Sequence, residues 1–198
     1  MDWSDISINK FQEIYKAEQE GGEDLPFKIL AIVKEKTLDD ILNLPLSKLN
    51  VMMKDIAFYY REPKIPFVKF RFKLGDNKYR IFLKPYDMTV AQYIDFVSFA
   101  GDYSEHLARF LSTVIIPVGH KYGDGYDLDA VAEDIGKYLS VADGLAVASF
   151  FLTWSRLYAK IILKSSVRKL KALTKKEKDP ELKAKLEQML SEPKPTHS

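Results

Sequence analysis

The sequence predicts an α+β fold that is predominantly α-helical, on the basis of three observations. Apolar residues recur at intervals of three and four along most of the 198-residue chain, which is typical of amphipathic helices. Residues 68–83 instead alternate apolar with polar or charged side chains, as an antiparallel hairpin does. With 46% hydrophobic and 13% aromatic residues, the chain can bury one substantial core or two small ones. We therefore expect an N-terminal helical subdomain, one antiparallel β-hairpin and a C-terminal helical part ending in a long basic helix.

Residues 1–62 are predicted to form the N-terminal subdomain, with four helices. Ser7 suits the start of the first helix and the Gly21-Gly22 pair its end, since serine caps N-termini and glycine tolerates a left-handed backbone. The second helix begins near Pro26, the third at Thr37 and the fourth near Pro45. The side chains expected to face inward are Ile8, Phe11, Ile14, Tyr15, Phe27, Ile29, Leu30, Val33, Leu46, Leu49, Met52, Met53 and Ile56.

Residues 67–163 are predicted to form a second domain, a β-hairpin followed by a helical core. Pro63 and Pro66 make residues 61–66 a hinge, because proline forbids a continuing helix and favours extended chain. Residues 75–78 supply the turn of the hairpin. The face expected to be buried carries Val68, Phe70, Phe72, Leu74, Tyr79, Ile81 and Leu83.

Helices are expected again after Pro85. Thr89 and Ser104 suit the caps of two of them, residues 117–127 form a loop, Asp127 begins a short helix and Ser140 caps a long one. The inward residues predicted by spacing are Val90, Tyr93, Ile94, Val97, Leu107, Phe110, Leu111, Val114, Val131, Ile135, Leu139, Val147, Phe151, Trp154, Tyr158, Ile161 and Ile162.

Residues 164–198 are predicted to form a basic helical arm and a polar tail. From residue 160 onward the chain has eleven Lys or Arg against five Asp or Glu, a net charge of +6, so the preceding residues carry −4. Apolar residues at helical spacing predict that the arm either folds back or meets a partner; both alternatives stay open. These apolar residues are Val167, Leu170 and Leu173, and the basic ones are Lys164, Arg168, Lys169, Lys171, Lys175 and Lys176.

Composition excludes several classes of protein. The chain has no cysteine, which rules out disulfides and thiolate metal sites and fits a reducing compartment. The first residues lack the pattern of a signal peptide. Arg156 and Lys160 interrupt the most apolar stretch, so we expect no membrane-spanning segment.

The sequence offers no pattern that predicts catalysis, a cofactor or a bound metal. His106, His120 and His197 lack a second ligand at a helical or turn spacing. The acidic residues of 124–129 miss the spacing of a calcium loop, and a turn leading into a capped helix explains them better. We expect a non-enzymatic protein. The alternative, an enzyme with an unrecognised site, would need a pocket lined by residues such as His120, Asp124 and Asp127.

One aromatic run is a candidate anchor for a protein partner. Phe58, Tyr59 and Tyr60 end a predicted helix just before the hinge, and aromatic side chains dominate many interfaces. The alternative is that they pack between the two subdomains. Nucleic acid is the less favoured partner, since we find no alternation of aromatic and basic residues to stack bases.

The order of several short segments resembles a family of phage proteins. The segments are an N-terminal helical unit with Ile8, Phe11 and Ile14, followed by Lys28–Val33, Asp40-Ile41, Leu44–Leu46, Phe72–Tyr79, Met88–Phe96, Pro117, Lys121-Tyr122 and Gly125–Asp127, within about residues 6–160. In this order they resemble the tail assembly chaperone-like proteins of tailed bacteriophages that infect gut bacteria of the Bacteroidetes type. The family pattern supplies no residue-level site, and the basic arm has no counterpart in it.

The resemblance implies a role in virion morphogenesis. A protein of this kind would escort the tape-measure protein or tail subunits in the host cytoplasm during tail assembly, and a homo-oligomer is left open. The first alternative is a virion structural or cargo protein at the neck, tail or capsid interior, where the basic arm could meet packaged DNA. The second alternative is the enzyme described above.

Overall fold

The computed structural model describes residues 1–82 and 88–176, with side chains described up to Leu157 and at Thr174. By its internal contacts the chain divides into one compact unit of residues 1–150 and a second that begins at Phe151. The sequence instead predicts divisions at 62–67 and 163–164, which stay predictions.

The predicted α+β, mostly helical class is confirmed, since 56% of the structure is helical and one small antiparallel sheet is present. The elements of the described residues are α1 (Ile8–Glu20), α2 (Leu25–Lys34), α3 (Leu38–Leu42), α4 (Leu46–Met52), a 3₁₀ turn (Met53–Ile56), β1 (Arg71–Leu74), β2 (Asn77–Ile81), α5 (Val90–Ala100), α6 (Leu107–Ser112), β3 (Ile115–Pro117), α7 (Leu128–Tyr138) and α8 (Val141–Lys176). None of these helices is both long enough and apolar enough to span a membrane.

The N-terminal helices begin and end where their capping residues predict. The Ser7 hydroxyl accepts from the Lys10 N–H, and Gly21 ends α1 with φ 68°. Thr37 and Asp40 form a reciprocal capping box at the start of α3, in which each side chain accepts from the backbone N–H of the other residue. These predicted boundaries are confirmed.

Replacing Thr37 with alanine is expected to lower the free energy of unfolding by about 1 kcal/mol, because the Asp40 N–H loses its acceptor at 3.1 Å. The loss is measured by urea denaturation followed by circular dichroism. Ser47→Ala, at an exposed position in the first turn of α4, is the control and should leave stability within about 0.5 kcal/mol. Equal stabilities for the two variants would contradict the capping role.

The core of the N-terminal helices also takes residues from the start of α8. Val141 is buried in the same cluster as Ile14, Ile29 and Ile56. The backbone joins the two ends of this unit, since the Val141 N–H donates to the Ile6 carbonyl at 2.8 Å and the Ile8 N–H to the Leu139 carbonyl at 3.1 Å. Residues 6–8 and 139–141 are thus held side by side.

Not every predicted inward residue of these helices is buried. Leu46, at the start of α4, is exposed, which corrects the prediction. The position of this turn explains the error. Helix α4 begins directly after Pro45, and the residues of α4 that pack against the cluster are Leu49 and Met52, later in the helix.

The hairpin forms as predicted and becomes part of a larger sheet. The strand order is β1-β2-β3, with both pairs antiparallel. Leu74 pairs with Asn77 across a two-residue turn in which Gly75 has φ 57°, a left-handed backbone that glycine adopts without strain. The buried face carries Phe72, Leu74, Tyr79 and Ile81, and the Tyr79 hydroxyl donates to Asp134 of α7 at 2.5 Å. Phe70, predicted for the same face, is 53% exposed, which corrects the prediction; it precedes the first residue of β1 and so lies beyond the covered part of the strand. Leu83 lies outside the described residues.

The third strand and the start of α6 differ from the prediction. Residues 115–117 pair with β2, although the sequence places a helix up to Val114 and a loop from Pro117. The predicted cap Ser104 is not the N-cap of α6, which begins after His106 without a side-chain cap. Three apolar residues in a row carry no period, so periodicity could not reveal β3.

The last two helices begin as predicted. The Asp127 carboxylate accepts from the Asp129 N–H at 2.9 Å and starts α7, and the Ser140 hydroxyl accepts from the Asp143 N–H at 3.2 Å in the first turn of α8. Helix α8 runs to Lys176, so the backbone of residues 164–176, the start of the predicted arm, is helical. Residues 177–198, with the predicted break at Asp179-Pro180 and the final amphipathic turns, lie outside the described residues.

Candidate functional site

Helix α5 is anchored to the body of the protein along one side. Thr89 caps its N-terminus, accepting from the Gln92 N–H at 3.1 Å. Phe96 is buried, with its ring centroid 5.1 Å from that of Phe110 in α6. The buried Gln92 amide donates to the Thr113 carbonyl at 2.7 Å, which satisfies a polar group that would otherwise be costly to bury. These contacts fix the rotation of α5 about its axis.

The opposite side of α5 is apolar and faces solvent. Val90, Tyr93, Ile94 and Val97 are each between 49% and 77% exposed. Each residue of an α-helix is rotated by about 100° from the one before, so these four share one arc, opposite the buried Gln92 and Phe96. We call these four residues the α5 face. The sequence predicts this stripe correctly by its spacing but wrongly directs it inward.

The α5 face is also free of charge. The other exposed residues of this helix are Ala91 and Ser98, and its single acidic residue, Asp95, is half-buried and accepts from the Tyr122 hydroxyl at 2.5 Å; the helix has no basic residue. An exposed, uncharged apolar stripe on a structured helix is a feature of surfaces that bind other proteins. Sequence spacing could find this stripe, but only the position of Gln92 and Phe96 shows that it is exposed.

The predicted aromatic anchor is mostly part of the protein core. Phe58 is buried, and its ring meets that of Trp3 edge to face at a centroid distance of 4.8 Å. The Tyr59 hydroxyl donates to the Glu18 carboxylate, and burial together with this carboxylate raises the pKa of Tyr59 to about 12. Tyr60 is exposed and lies against the Tyr59 ring. Of the three residues, only Tyr60 presents most of its side chain to solvent.

The side chains of the predicted basic arm lie outside the described residues. This holds for the apolar positions Val167, Leu170 and Leu173 and for the basic positions Lys164, Arg168, Lys169, Lys171, Lys175 and Lys176. Their proposed role in binding therefore stays a prediction from the sequence.

A cavity of about 250 Å³ lies near the residues named for the enzyme alternative, but only one of them lines it. Asp127 lines it together with Asp95, Tyr122, Arg109 and Asp129, among others. Their side chains already have partners: Asp127 caps α7, Asp95 accepts from Tyr122, and Arg109 lies 2.9 Å from Asp129. Burial, followed by the bond to Asp95, raises the pKa of Tyr122, so its hydroxyl stays protonated. These contacts give the polar side chains that line the cavity a structural role.

The other two residues named for the enzyme alternative have separate contacts. The ring of His120 lies edge-on to Tyr126 at 5.9 Å, and the Asp124 carboxylate accepts from the Lys121 N–H at 3.2 Å. Within the described part of the chain, no three His, Asp or Glu side chains are grouped as metal ligands would be.

No protein-family model matches this chain, and no curated protein or solved structure matches it at a significant level. The resemblance to tail assembly chaperone-like proteins therefore rests on the sequence segments alone, and the α5 face is a candidate binding surface whose geometry the structure describes.

Proposed function

We propose that this chain is a non-enzymatic binding protein and that the α5 face receives an amphipathic helix of another protein. The observation that supports this most directly is the exposure of Val90, Tyr93, Ile94 and Val97 on one uncharged arc. Burying apolar surface contributes about 25 cal/mol for each Å² removed from water, so covering these side chains favours association. The chemistry of the described cavity does not support catalysis more strongly than the α5 face supports binding.

The shape of the surface indicates which kind of partner fits. The 11 residues of α5 form a single convex helix about 16 Å long, which matches the ridges of a second helix packed alongside it. The partner stripe must be uncharged, because a charged side chain placed against this face would lose its hydration and find no counter-ion. An extended apolar stripe on a helical partner meets both requirements.

The sequence resemblance gives this binding activity a biological setting. A tape-measure protein is a long helical protein whose apolar stripes need to be covered until tail subunits surround it, as the resemblance implies. We propose that the chain is a tail assembly chaperone-like factor that binds the tape-measure protein or tail subunits in the host cytoplasm. Reversible cover of apolar helices by an uncharged helical face is physically suited to such a role.

The binding surface is tested with Ile94→Asp. A carboxylate in the centre of the α5 face is expected to weaken binding of the source phage's tape-measure protein at least about 10-fold, which corresponds to about 1.4 kcal/mol. Binding is measured by pull-down and by titration calorimetry. Val51→Asp, on the exposed side of α4, carries the same charge on a different helix and should bind as the unmodified chain does.

Two outcomes would contradict the proposal. Equal binding by Ile94→Asp and the unmodified chain would exclude the α5 face as the surface. A concentration-dependent dimer that Ile94→Asp abolishes would assign this face to a second copy of the chain instead.

The biological role is tested separately, by mass spectrometry of purified particles and of the lysate of producing cells. An assembly factor is expected to be abundant in the lysate and absent from particles. A fixed copy number in the particle would overturn that role and favour the virion structural or cargo alternative, while leaving the α5 face to be judged by its own variants.

A further inference from the structure

The outward face of the β1–β2 hairpin carries four positive charges. Arg71, Lys73, Lys78 and Arg80 are all exposed, whereas the other face of the same strands is buried against the body of the protein. We call these four residues the basic ribbon. The α5 face and the basic ribbon are separate surfaces with opposite character, one without charge and one with a charge of +4.

The strand register places these charges directly opposite one another. Arg71 pairs with Arg80, and Lys73 with Lys78. The Ile81 N–H donates to the Phe70 carbonyl at 3.0 Å, which makes that pair a hydrogen-bonded one. Since pairs alternate along an antiparallel ladder, both cationic pairs occupy the non-hydrogen-bonded positions, where facing Cα atoms are only about 4.5 Å apart.

Close approach of like charges disfavours the fold, and these four cations lack the carboxylate partner that the neighbouring Lys69 has. Like charges opposite one another in a ladder are destabilising. Lys69, just before β1, has Asp143 at 2.8 Å. No carboxylate among the described residues forms an ion pair with the basic ribbon, and the only partner of these four cations there is the His120 carbonyl, which accepts from Arg80 at 3.1 Å. The ribbon is therefore an arrangement that an anionic ligand would stabilise.

Backbone donors lie along the same strand. Strand β1 is at the edge of the sheet, with β2 on one side only. At the non-hydrogen-bonded positions the N–H groups point away from the partner strand, so those of Arg71 and Lys73 face the open edge, and no acceptor for them is present in the described part of the chain. Backbone N–H groups beside Arg and Lys are common contacts of phosphate oxygens.

One exposed aromatic ring precedes the ribbon. Phe67 is 97% exposed. Phe67 lies four residues before Arg71, so no more than about 14 Å of chain separates them. Residues 69–73 do alternate basic and aromatic side chains, which corrects the sequence analysis, but Phe70 and Phe72 lie on the face of the hairpin opposite the basic ribbon.

We propose that the basic ribbon, with Phe67, is a binding site for single-stranded nucleic acid. Surfaces of this class combine cations that follow the phosphate backbone with aromatic side chains on which the bases stack. A phosphodiester chain supplies one anion per nucleotide at regular spacing, which suits cationic residues whose Cβ atoms are about 5 Å apart across the strands and about 7 Å apart along them. The exposed Phe67 ring distinguishes this ligand from an acidic peptide, which would use only the charges, and from a duplex, whose bases are already stacked.

The test uses the full chain and a 15-nucleotide oligo-dT labelled with a fluorophore, with binding followed by fluorescence anisotropy at several salt concentrations. The double variant Arg71→Gln/Arg80→Gln removes one opposed pair without removing any buried group. We expect its dissociation constant to rise at least about 10-fold. The slope of log K against log salt should fall by about 1.4, since each phosphate contact with a single strand contributes about 0.7.

The ring contribution is tested with Phe67→Ala. Base stacking on an aromatic side chain is lost in this variant, so its affinity should fall about 5-fold or more while the salt slope stays unchanged. Two exposed lysines of the α4 region provide the control: Lys48→Gln/Lys54→Gln removes the same charge and should bind as the unmodified chain does.

Three results would overturn the proposal. One is the absence of oligonucleotide binding at 50 mM salt. Another is a loss of binding in Lys169→Gln/Lys171→Gln with none in the ribbon variant, which would assign the activity to the basic arm. The third is a pair of results: oligoglutamate competes for the site as well as unlabelled oligo-dT does, and Phe67→Ala binds as the unmodified chain does. Together they would identify an acidic protein as the partner.

Discussion

Replacing Phe110 with alanine is expected to lower the free energy of unfolding by about 3–5 kcal/mol, the range typical for a fully buried phenylalanine. The ring is fully buried in α6, 5.1 Å from Phe96 and 6.5 Å from Tyr103 by centroid distance. Truncation would leave a cavity at the place where α5 is anchored. Because single domains are stable by only about 5–15 kcal/mol, we expect a large part of the total stability to be lost.

The loss is measured by urea denaturation, monitored by circular dichroism and by tryptophan fluorescence. Phe67→Ala is the matched control, since it removes the same ring from an exposed position and should change stability by less than about 0.5 kcal/mol. A loss below about 1 kcal/mol for Phe110→Ala would show that α5 is not held by this contact.

Raising the pH from 10 to 12 is expected to destabilise the protein, through tyrosines that resist ionisation when folded. Burial, followed by the bond to Asp134, raises the pKa of Tyr79, and burial with the nearby Asp124 raises that of Tyr126 to about 12. Unfolded tyrosine ionises near pH 10. Above that pH the unfolded chain releases protons that the folded chain retains, so the stability present below pH 10 declines as pH rises towards the folded pKa.

Tyr79→Phe separates the contribution of this residue. The variant is expected to lose about 1–2 kcal/mol below pH 9, because the hydroxyl no longer donates to Asp134, and to show a shallower decline between pH 10 and 12. Melting temperatures measured across this range give both quantities. Tyr60→Phe, which changes an exposed ring, is the control. If the stability of Tyr79→Phe declined as steeply with pH as that of the unmodified chain, folding would not raise the pKa of Tyr79.

The boundaries of most helices could be predicted because they depend on local chemistry. Ser7, Thr37, Asp127 and Ser140 each accept from a backbone N–H in the first turn that follows, and such bonds involve residues within three positions. The hairpin was predictable for a similar reason, since its turn contains glycine and its strands alternate.

The direction of an apolar stripe could not be predicted, because it depends on what packs nearby. In α5 the stripe of Val90, Tyr93, Ile94 and Val97 has ideal spacing for a core, yet the helix instead buries Gln92 and Phe96. A buried glutamine is stable only when a distant carbonyl accepts from it, here that of Thr113. No local pattern reveals such a contact.

The candidate surfaces could be predicted from the sequence only in part, for the same reason. Sequence spacing identified aromatic residues at 58–60, but long-range packing against Trp3 makes Phe58 part of the core. The basic ribbon depends on register, since Arg71 and Arg80 face one another only once the turn at Gly75 is known. Charges that are nine residues apart in the sequence become neighbours through the geometry of one hairpin.

The pairing of residues 6–8 with residues 139–141 has a consequence for synthesis of the protein in the cell. Ribosomes add about 5–20 residues per second, so roughly 7–27 s pass between the addition of Ile6 and the addition of Val141, whose N–H donates to the Ile6 carbonyl. During that interval α1 and α2 have been made but their core lacks its last members. The nascent chain therefore carries apolar surface open to chaperones and proteases, and any messenger truncated before the codons of α8 would yield a product that cannot close this unit.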